Sequence, residues 1–475
     1  MHLCLICGLG CEITYSRARV EILTFAYEFM AKHSLIRDIS GVMGSNILAM
    51  VSTLGISILL SRILGPQGYG LFTSLYVVPQ VVMGLVQLGM SRSAVFHLGH
   101  KKFNECQTIS SIYVMLCMTS TVGIIVSAIA YAILNNPLLE TNWILLALCI
   151  IPFALGNIYT SGIFIGKEDI QTSNKIYWIP VTLNLILTAI TVGILQWGIT
   201  GALIANLLAT ATIFFVFLLR IHHQYALSFR FDTKILKSLA SKGLGFALAF
   251  VMLQLNYKVD ILLLQKLAKP SEIGYYALGV SVTEQLWLLP YAIGVVLMSR
   301  TANATNERMM AKTTALMVRI CLPAALIAAL VLIALTPPLL PLIFGKSFIP
   351  SIRVVQTILP GIVIFMIFRI IESYFAGLGK PMLSVMTLIP SLLLNIILNL
   401  LWIPRYGIIG SAMATNFSYA FATIIFLFVF QKYSRLSFKE LLILKPSDLQ
   451  RLKKGGRENG GKETRRREEE GTIRV

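Results

Sequence analysis

The chain has 475 residues, of which 56% are hydrophobic and only 13% charged, and its mean hydropathy is +0.78. Soluble domains carry about 25% charged residues, so a large soluble globule is excluded. The formal charge of +19 would suit nucleic acid if it were clustered on a soluble face. Here most of it lies in the loops between apolar stretches and in the two terminal segments, which points to membrane lipids and not to nucleic acid as the charged partner.

In chain order, residues 1–41 are expected to form a cytoplasmic lead-in. Within it, residues 1–29 read as an over-called start, and Met30-Ala31-Lys32 opens a short basic amphipathic stretch. Cys4, Cys7 and Cys11 have no fourth ligand nearby except His2, so no metal site is predicted. Twelve apolar stretches follow, near 42–61, 71–91, 109–134, 142–165, 176–196, 199–219, 243–267, 274–298, 315–336, 352–377, 384–403 and 407–430. Each meets the roughly 20 residues that a membrane-crossing helix needs. Their length and lack of strict alternation predict helices, not a lipid-facing barrel. Residues 42–219 are read as an N-lobe of six helices and 243–430 as a C-lobe of six. The basic stretch 220–242, with Phe231, Ile235, Leu236 and Leu239 on one helical face, is expected to lie on the cytoplasmic headgroups as an interfacial linker. The tail 431–475 is basic and rich in glycine and charge, and is expected to be largely disordered and cytoplasmic.

Loop charge sets the orientation. With both termini cytoplasmic, the inner loops carry Arg92, Lys101, Lys102, Lys167, Lys175, Arg220, Arg230, Lys234, Lys237, Lys242, Arg300, Arg308, Lys312 and Lys380. The outer loops hold only Arg62, Lys266, Lys269, Lys346, Arg353 and Arg405. This is the positive-inside asymmetry of a multi-pass protein of the cell membrane.

The two halves echo each other. Met90-Ser91-Arg92-Ser93-Ala94 returns as Met298-Ser299-Arg300-Thr301-Ala302. Arg62–Pro66 followed by Gly68-Tyr69 returns as Lys266–Pro270 followed by Gly274-Tyr275. Ile179-Pro180 and Gly198–Ala202 return as Ile389-Pro390 and Gly407–Ser411. Six spans separate each pair, so both copies point the same way across the bilayer. The predicted fold is therefore an all-α integral membrane protein. It has about twelve transmembrane helices in two parallel-repeat six-helix lobes around a central cleft.

Ionisable groups inside spans cost about 2.5–3.5 kcal/mol each on insertion scales, so each asks for a reason. Lys258, Asp260, Glu284 and Arg369 are the candidates for lining a substrate cavity. Glu372, near a span end, and Arg62, Arg92 and Arg300, which read mainly as anchors, follow them. The matching spans of the first half offer only neutral groups such as Asn46, Ser52, Thr53, Ser57, Gln80 and Gln87. Lys258 and Asp260 are two residues apart and point about 200° away from each other on a helix, so they cannot serve one spot. Arg369 and Glu372, three apart, can touch. There is no Gly-rich phosphate loop and no catalytic constellation, so no enzyme activity and no resident cofactor are predicted.

Together, Arg62–Gly70, Val259-Asp260, Ile273–Ala277, Gly377–Pro381, and Asn395 through Pro404 with Tyr406–Ala412 resemble the polysaccharide flippase (oligosaccharide-lipid exporter) family of the MOP exporter superfamily, over roughly residues 33–435. The resemblance implies alternating access by rocking lobes. It also implies a substrate of sugar units on a polyprenyl pyrophosphate, flipped from the cytoplasmic to the outer leaflet for assembly of a cell-surface polysaccharide or glycan, alongside polysaccharide-assembly partners. Family members often carry cavity cations in both lobes, whereas the midspan charges here cluster in the second. Lys258 and Arg369 are the deep cations available for a pyrophosphate, and arginine's fork of donors suits one. A coupling ion, Na+ or H+, is left open, with Asp260 and Glu284 as its acids. The alternative is an ion-coupled multidrug or organic-cation antiporter of the same two-lobe superfamily, which would be expected to place an essential acid in a lobe cavity; the first lobe has none within its spans, and cations sit in the second.

Overall fold

A computed structural model of the chain describes residues 4–99, 103–167, 169–225, 232–302, 304 and 306–443, with side-chain surroundings from residue 44 onward. The side chains of the lead-in, the loop lysines Lys101 and Lys102, the centre of the 220–242 linker and the tail beyond 443 lie outside the described residues. Among those described, the chain is helical throughout. Nine helical stretches of 24 to 55 residues are long and apolar enough to cross a bilayer. The two longest, Gly44–Leu98 and Met382–Ser434, would each extend about 80 Å as straight rods, more than twice a hydrocarbon core.

Both fold back on themselves at a glycine. The first, α1 (Cys4–Val86), breaks at Gly65 with φ 64°, immediately before Pro66. The left-handed backbone there is open to glycine at little steric cost. Thr53 before the break and Gln80 after it line one cavity, so the two arms of α1 run side by side. The second, α12 (Met382–Ser434), breaks at Gly407 with φ 58°. Its arms are stitched by Ser391 donating to the Ser418 carbonyl at 2.8 Å and Ser411 donating to Asn399 Oδ1 at 2.7 Å. Splitting these two stretches turns nine spans into eleven. The remaining helix, α7 (Thr233–Leu267), carries Lys258 and Asp260 and is the twelfth.

The other elements are α2 (Met90–Gly99), α3 (Glu105–Leu134), α4 (Thr141–Gly166), α5 (Ile170–Thr188), α6 (Gly198–Tyr225), α8 (Pro270–Glu284), α9 (Leu288–Ala302), α10 (Glu307–Phe344), α11 (Ser351–Gly377) and the short α13 (Phe438–Leu442). Side-chain caps start several of them: Asn104 accepts from Gln107 N–H, Asp169 from Thr172 N–H and Asn306 from Met309 N–H. Each satisfies a backbone donor that a helix start leaves unpaired. Large apolar side chains such as Ile129, Leu330, Leu342 and Met386 are left outside the packed core, as expected where the surrounding solvent is lipid.

In the first half, α1 packs against α5, and α4 against α2, α3 and α6. In the second, α11 is central, touching α8, α9, α10 and α12, and 72% of its apolar stretch is buried. The halves meet where α1 lies on α8 and where α1 and α2 lie on α7. The α1–α8 contact is backbone to backbone and reciprocal. A Cβ on Gly70 would fall 1.8 Å from the Pro270 carbonyl oxygen, and one on Gly274 2.1 Å from that of Pro66. Both glycines stand four residues after their proline, so the contact is two-fold-like between helix ends, and it pairs Gly274 with Gly70 where the sequence repeat sets Gly68 opposite it.

One expectation is corrected. The stretch around Ile235 and Leu239 is not a helix lying on headgroups but the opening turns of α7. Both side chains are buried, and Ser93 of α2 donates to the Leu239 carbonyl at 2.8 Å while His97 pairs with the Ser238 hydroxyl at 2.8 Å. The first part of the tail, a segment expected to be largely disordered over 431–475, is folded through residue 443. Leu441 of α13 is buried, and Arg319 of α10 donates to the Glu440 carbonyl.

Candidate functional site

The span formed by α8 and α9 is interrupted at Gln285–Trp287, where one turn tightens to a 3-10 helix. Pro290 follows three residues later. It has no N–H for the carbonyl of residue 286, and its ring crowds that carbonyl, so the regular ladder fails there. Broken helices at membrane depth are tolerated where they line a cavity, and this one does. Pro290, Tyr291, Gly294 and Met298 form one wall of a cavity of about 370 Å³. Phe250 and Leu253 of α7, Arg369, Glu372 and Ser373 of α11, and Arg92 of α2 complete it. One arginine therefore comes from each half of the chain.

Arg369 sits on α11 among aromatic side chains. Its guanidinium donates to the Tyr257 hydroxyl at 3.0 Å and lies 6.0 Å from that ring's centroid. Tyr257 packs on Trp287 at 4.8 Å between centroids, and Phe365 stacks on Tyr419 at 4.3 Å. These rings fix the guanidinium without neutralising it, since a phenol hydroxyl accepts a hydrogen bond but brings no charge. Glu372 lines the same cavity one turn on, as the i, i+3 spacing allowed, yet no direct ion pair between it and Arg369 is formed.

The other candidates separate. Lys258 faces Glu284, Nζ to Oε1 at 3.7 Å, with both side chains about three-quarters buried. The sequence listed them as two cavity groups; the structure pairs them with each other. Asp260 points the opposite way, as its two-residue offset from Lys258 requires. It is 2% exposed. The Tyr276 hydroxyl and the Ile261 backbone N–H donate to it, the latter at 2.8 Å, with the Thr415 hydroxyl at 3.4 Å. From Thr415 a buried ladder of neutral groups runs through Ser411, Asn399, Asn395, Ser418 and Ser391 to Asn256. Asp260 therefore closes a polar seam among α7, α8 and α12 and lies away from the arginine cavity.

Arg62 is removed from the cavity altogether. Its Nε donates to the Ile343 carbonyl at 2.7 Å and its Nη2 to that of Leu342, so it caps the C-terminal end of α10, where a cation is favoured. Arg300 borders a separate, apolar hollow between α9 and α10, with Val296 and Met317. Arg92 moves the other way, from anchor to cavity wall. The residues that sequence reading passed over are Tyr257, Tyr291 and Trp287. Aromatic residues are common in spans, and only Pro290, one position before Tyr291, hinted at an opening there.

Comparisons with known proteins agree with this architecture. The family model described as polysaccharide biosynthesis protein matches residues 35–297, and the MatE model matches residues 245–401. An uncharacterized membrane protein of Methanocaldococcus jannaschii is 23% identical over 404 residues, covering 80% of this chain and 94% of its own. Among solved structures, the lipid II flippase MurJ in an inward closed conformation is similar at TM-score 0.64 and 18% identity, over 83% of this chain and 90% of that one. An inward-facing multidrug resistance MATE transporter of the MOP superfamily is similar at TM-score 0.67 and 16% identity, over 82% and 94%. At such identities the structures speak for the fold. The family match covers more than half of the chain: this protein belongs to the polysaccharide biosynthesis protein family.

Proposed function

We propose that the protein flips a polyprenyl-pyrophosphate-linked oligosaccharide from the cytoplasmic to the outer leaflet of the cell membrane. The observation that carries this reading is the convergence of Arg92 and Arg369, one from each half, on a single cavity. A pyrophosphate leaving water needs cationic donors to replace its hydration, and two guanidiniums offer paired N–H groups to several oxygens at once. With both termini cytoplasmic, the orientation that the loop charges support, the arginine cavity lies toward the cytoplasmic side and the Gly70–Gly274 contact at the outer end. A substrate held between arginines from two lobes would feel any rocking of one lobe against the other.

The coupling role is assigned to Asp260 rather than Glu284, because Glu284 is committed to Lys258 while Asp260 joins three helices whose packing a bound proton or Na+ would alter. The antiporter reading shares the fold, and the MATE likeness supports it equally at that level. Against it stands the first-half cavity, whose lining contains no acid.

The test uses membrane vesicles from cells with and without the protein. Depletion is expected to leave polyprenyl-pyrophosphate glycan in the cytoplasmic leaflet, with efflux of an organic cation such as ethidium unchanged. Lost ethidium efflux with normal glycolipid sidedness would instead establish the antiporter. In the same vesicles Asp260→Asn is expected to abolish dependence of flipping on an imposed Na+ or H+ gradient; an unaltered dependence removes Asp260 from that role.

A further inference from the structure

We propose that a second cavity, in the first half, binds the uncharged sugar portion of the substrate; this rests on the flippase reading above and extends it. The cavity measures about 320 Å³ and lies among both arms of α1, α5 and α6. Ser57, Tyr76, Gln80, Asn184, Asn206 and Thr210 are among its lining residues. Among the described residues, no lysine, arginine, aspartate, glutamate or histidine lines it.

Thr53 and Thr210 are spent on backbone carbonyls, whereas other polar groups of the lining keep hydrogen-bonding capacity toward the space. Among the described residues, the Gln80 carboxamide and the Tyr76 hydroxyl have no hydrogen-bond partner. Asn184 and Asn206 each accept through Oδ1, from Thr188 and Thr210 at 3.2 Å, while their NH2 groups meet no protein acceptor. These groups reach the cavity space and are not sealed in the packed interior, so water or a ligand can meet them. Beside these amides, Phe72 and Tyr76 stack with centroids 6.0 Å apart and planes within 8°.

Chemistry narrows the occupant. A phosphate would want cations and an organic cation would want an acid; neither is present. An acyl chain would leave four amide or hydroxyl groups unmet. A sugar ring presents hydroxyls that both donate and accept, and a C–H face that packs on aromatic carbon. Neutral amides next to an aromatic surface meet both needs.

Position joins this cavity to the arginine cavity. Gln80 is one turn before Gly84 on the second arm of α1, and the Gly84 Cβ position lies 3.6 Å from Phe250, which itself lines the arginine cavity. Only about 6 Å of helix rise separates Gln80 from Gly84. With the pyrophosphate between Arg92 and Arg369, a glycan extending along this arm reaches the neutral cavity. In the proposed orientation that cavity is nearer the outer leaflet, so the sugar leads the crossing.

The test places the photo-crosslinker p-benzoylphenylalanine at position 76 or, separately, at position 291 in the full chain, expressed in its native host. Adducts formed under ultraviolet light are identified by mass spectrometry. The expected result is a polyprenyl-pyrophosphate adduct at position 291 and an adduct on sugar carbons at position 76. Gln80→Leu with Asn184→Leu should reduce the adduct at 76 at least fivefold while sparing the one at 291, and membrane yield checks that each protein folds. Capture of the glycolipid at 291 with only phospholipid acyl chains, or nothing, at 76 overturns the inference and leaves the flippase reading standing. Absence of any phosphorylated glycolipid at both positions removes the flippase reading, and the inference with it.

Discussion

Arg369 and Lys258 were the two deep cations that hydropathy singled out, and their surroundings give them different work. Arg369 is held by a phenol and a set of rings, with Glu372 in the same cavity but not in a direct ion pair with it; Lys258 is matched by Glu284. Arg369→Lys keeps the charge but loses the fork, so flipping in vesicles should fall about tenfold, and Arg369→Ala should fall further. Equal activity of Lys and Arg at this position would mean that only charge matters there. For the pair, removing one partner strands a largely buried charge, at a cost on the order of 3 kcal/mol, whereas replacing both by apolar residues is often neutral. Lys258→Met with Glu284→Leu should therefore melt closer to the parent than either single change, as read by Tm in detergent. If the double variant melts at the sum of the two singles, the residues act independently. Sequence showed these groups as expensive and in need of partners, but not which partner each would find. Arg92, 277 residues away from Arg369 along the chain, carried no local sign that it would share its cavity.

At the level of helices, much was legible. The twelve spans follow from apolar length alone, and the prolines and glycines that punctuate them mark true breaks at Gly65, Gly407 and Pro290. What periodicity could not show was that the opening turns of α7 would be covered by α2, because an apolar face looks the same whether lipid headgroups or protein bury it. Arg319 and α13 were missed for a similar reason: their contact joins residues 121 apart in sequence. The contact between Gly70 and Gly274 is the element whose removal is most specific. A side chain at either position cannot enter without parting α1 from α8. Gly70→Val is expected to insert normally in the membrane yet lower flipping at least tenfold, because the outer end can no longer close. Parent-level flipping by Gly70→Val would show that closure at this contact is not part of the cycle.

Over the whole molecule, the internal repeat explains why a chain with most midspan charges in one half still builds a two-sided site. Parallel copies bring equivalent helix ends together around one axis, so Gly70 meets Gly274 at one end, and the α2 of the first copy supplies Arg92 to a cavity otherwise made by the second. The halves then differ in chemistry while matching in shape. The second half offers Arg369 and Glu372, and the first a neutral cavity of amides, hydroxyls and rings. An inside-negative potential favours outward movement of an anion by about 2.3 kcal/mol per charge per 100 mV, so this division of labour has a ready driving force for a phosphorylated glycolipid and none for an organic cation leaving the cell. The central claim is that Arg92 and Arg369 jointly hold an anionic lipid headgroup. Mass spectrometry of the lipids retained by the gently purified protein, beside Arg92→Ala, Arg369→Ala and the double variant, tests it most directly. A polyprenyl-pyrophosphate glycan retained by the parent, reduced in each single variant and lost in the double is the predicted result. The same bulk phospholipids in all four samples would contradict it.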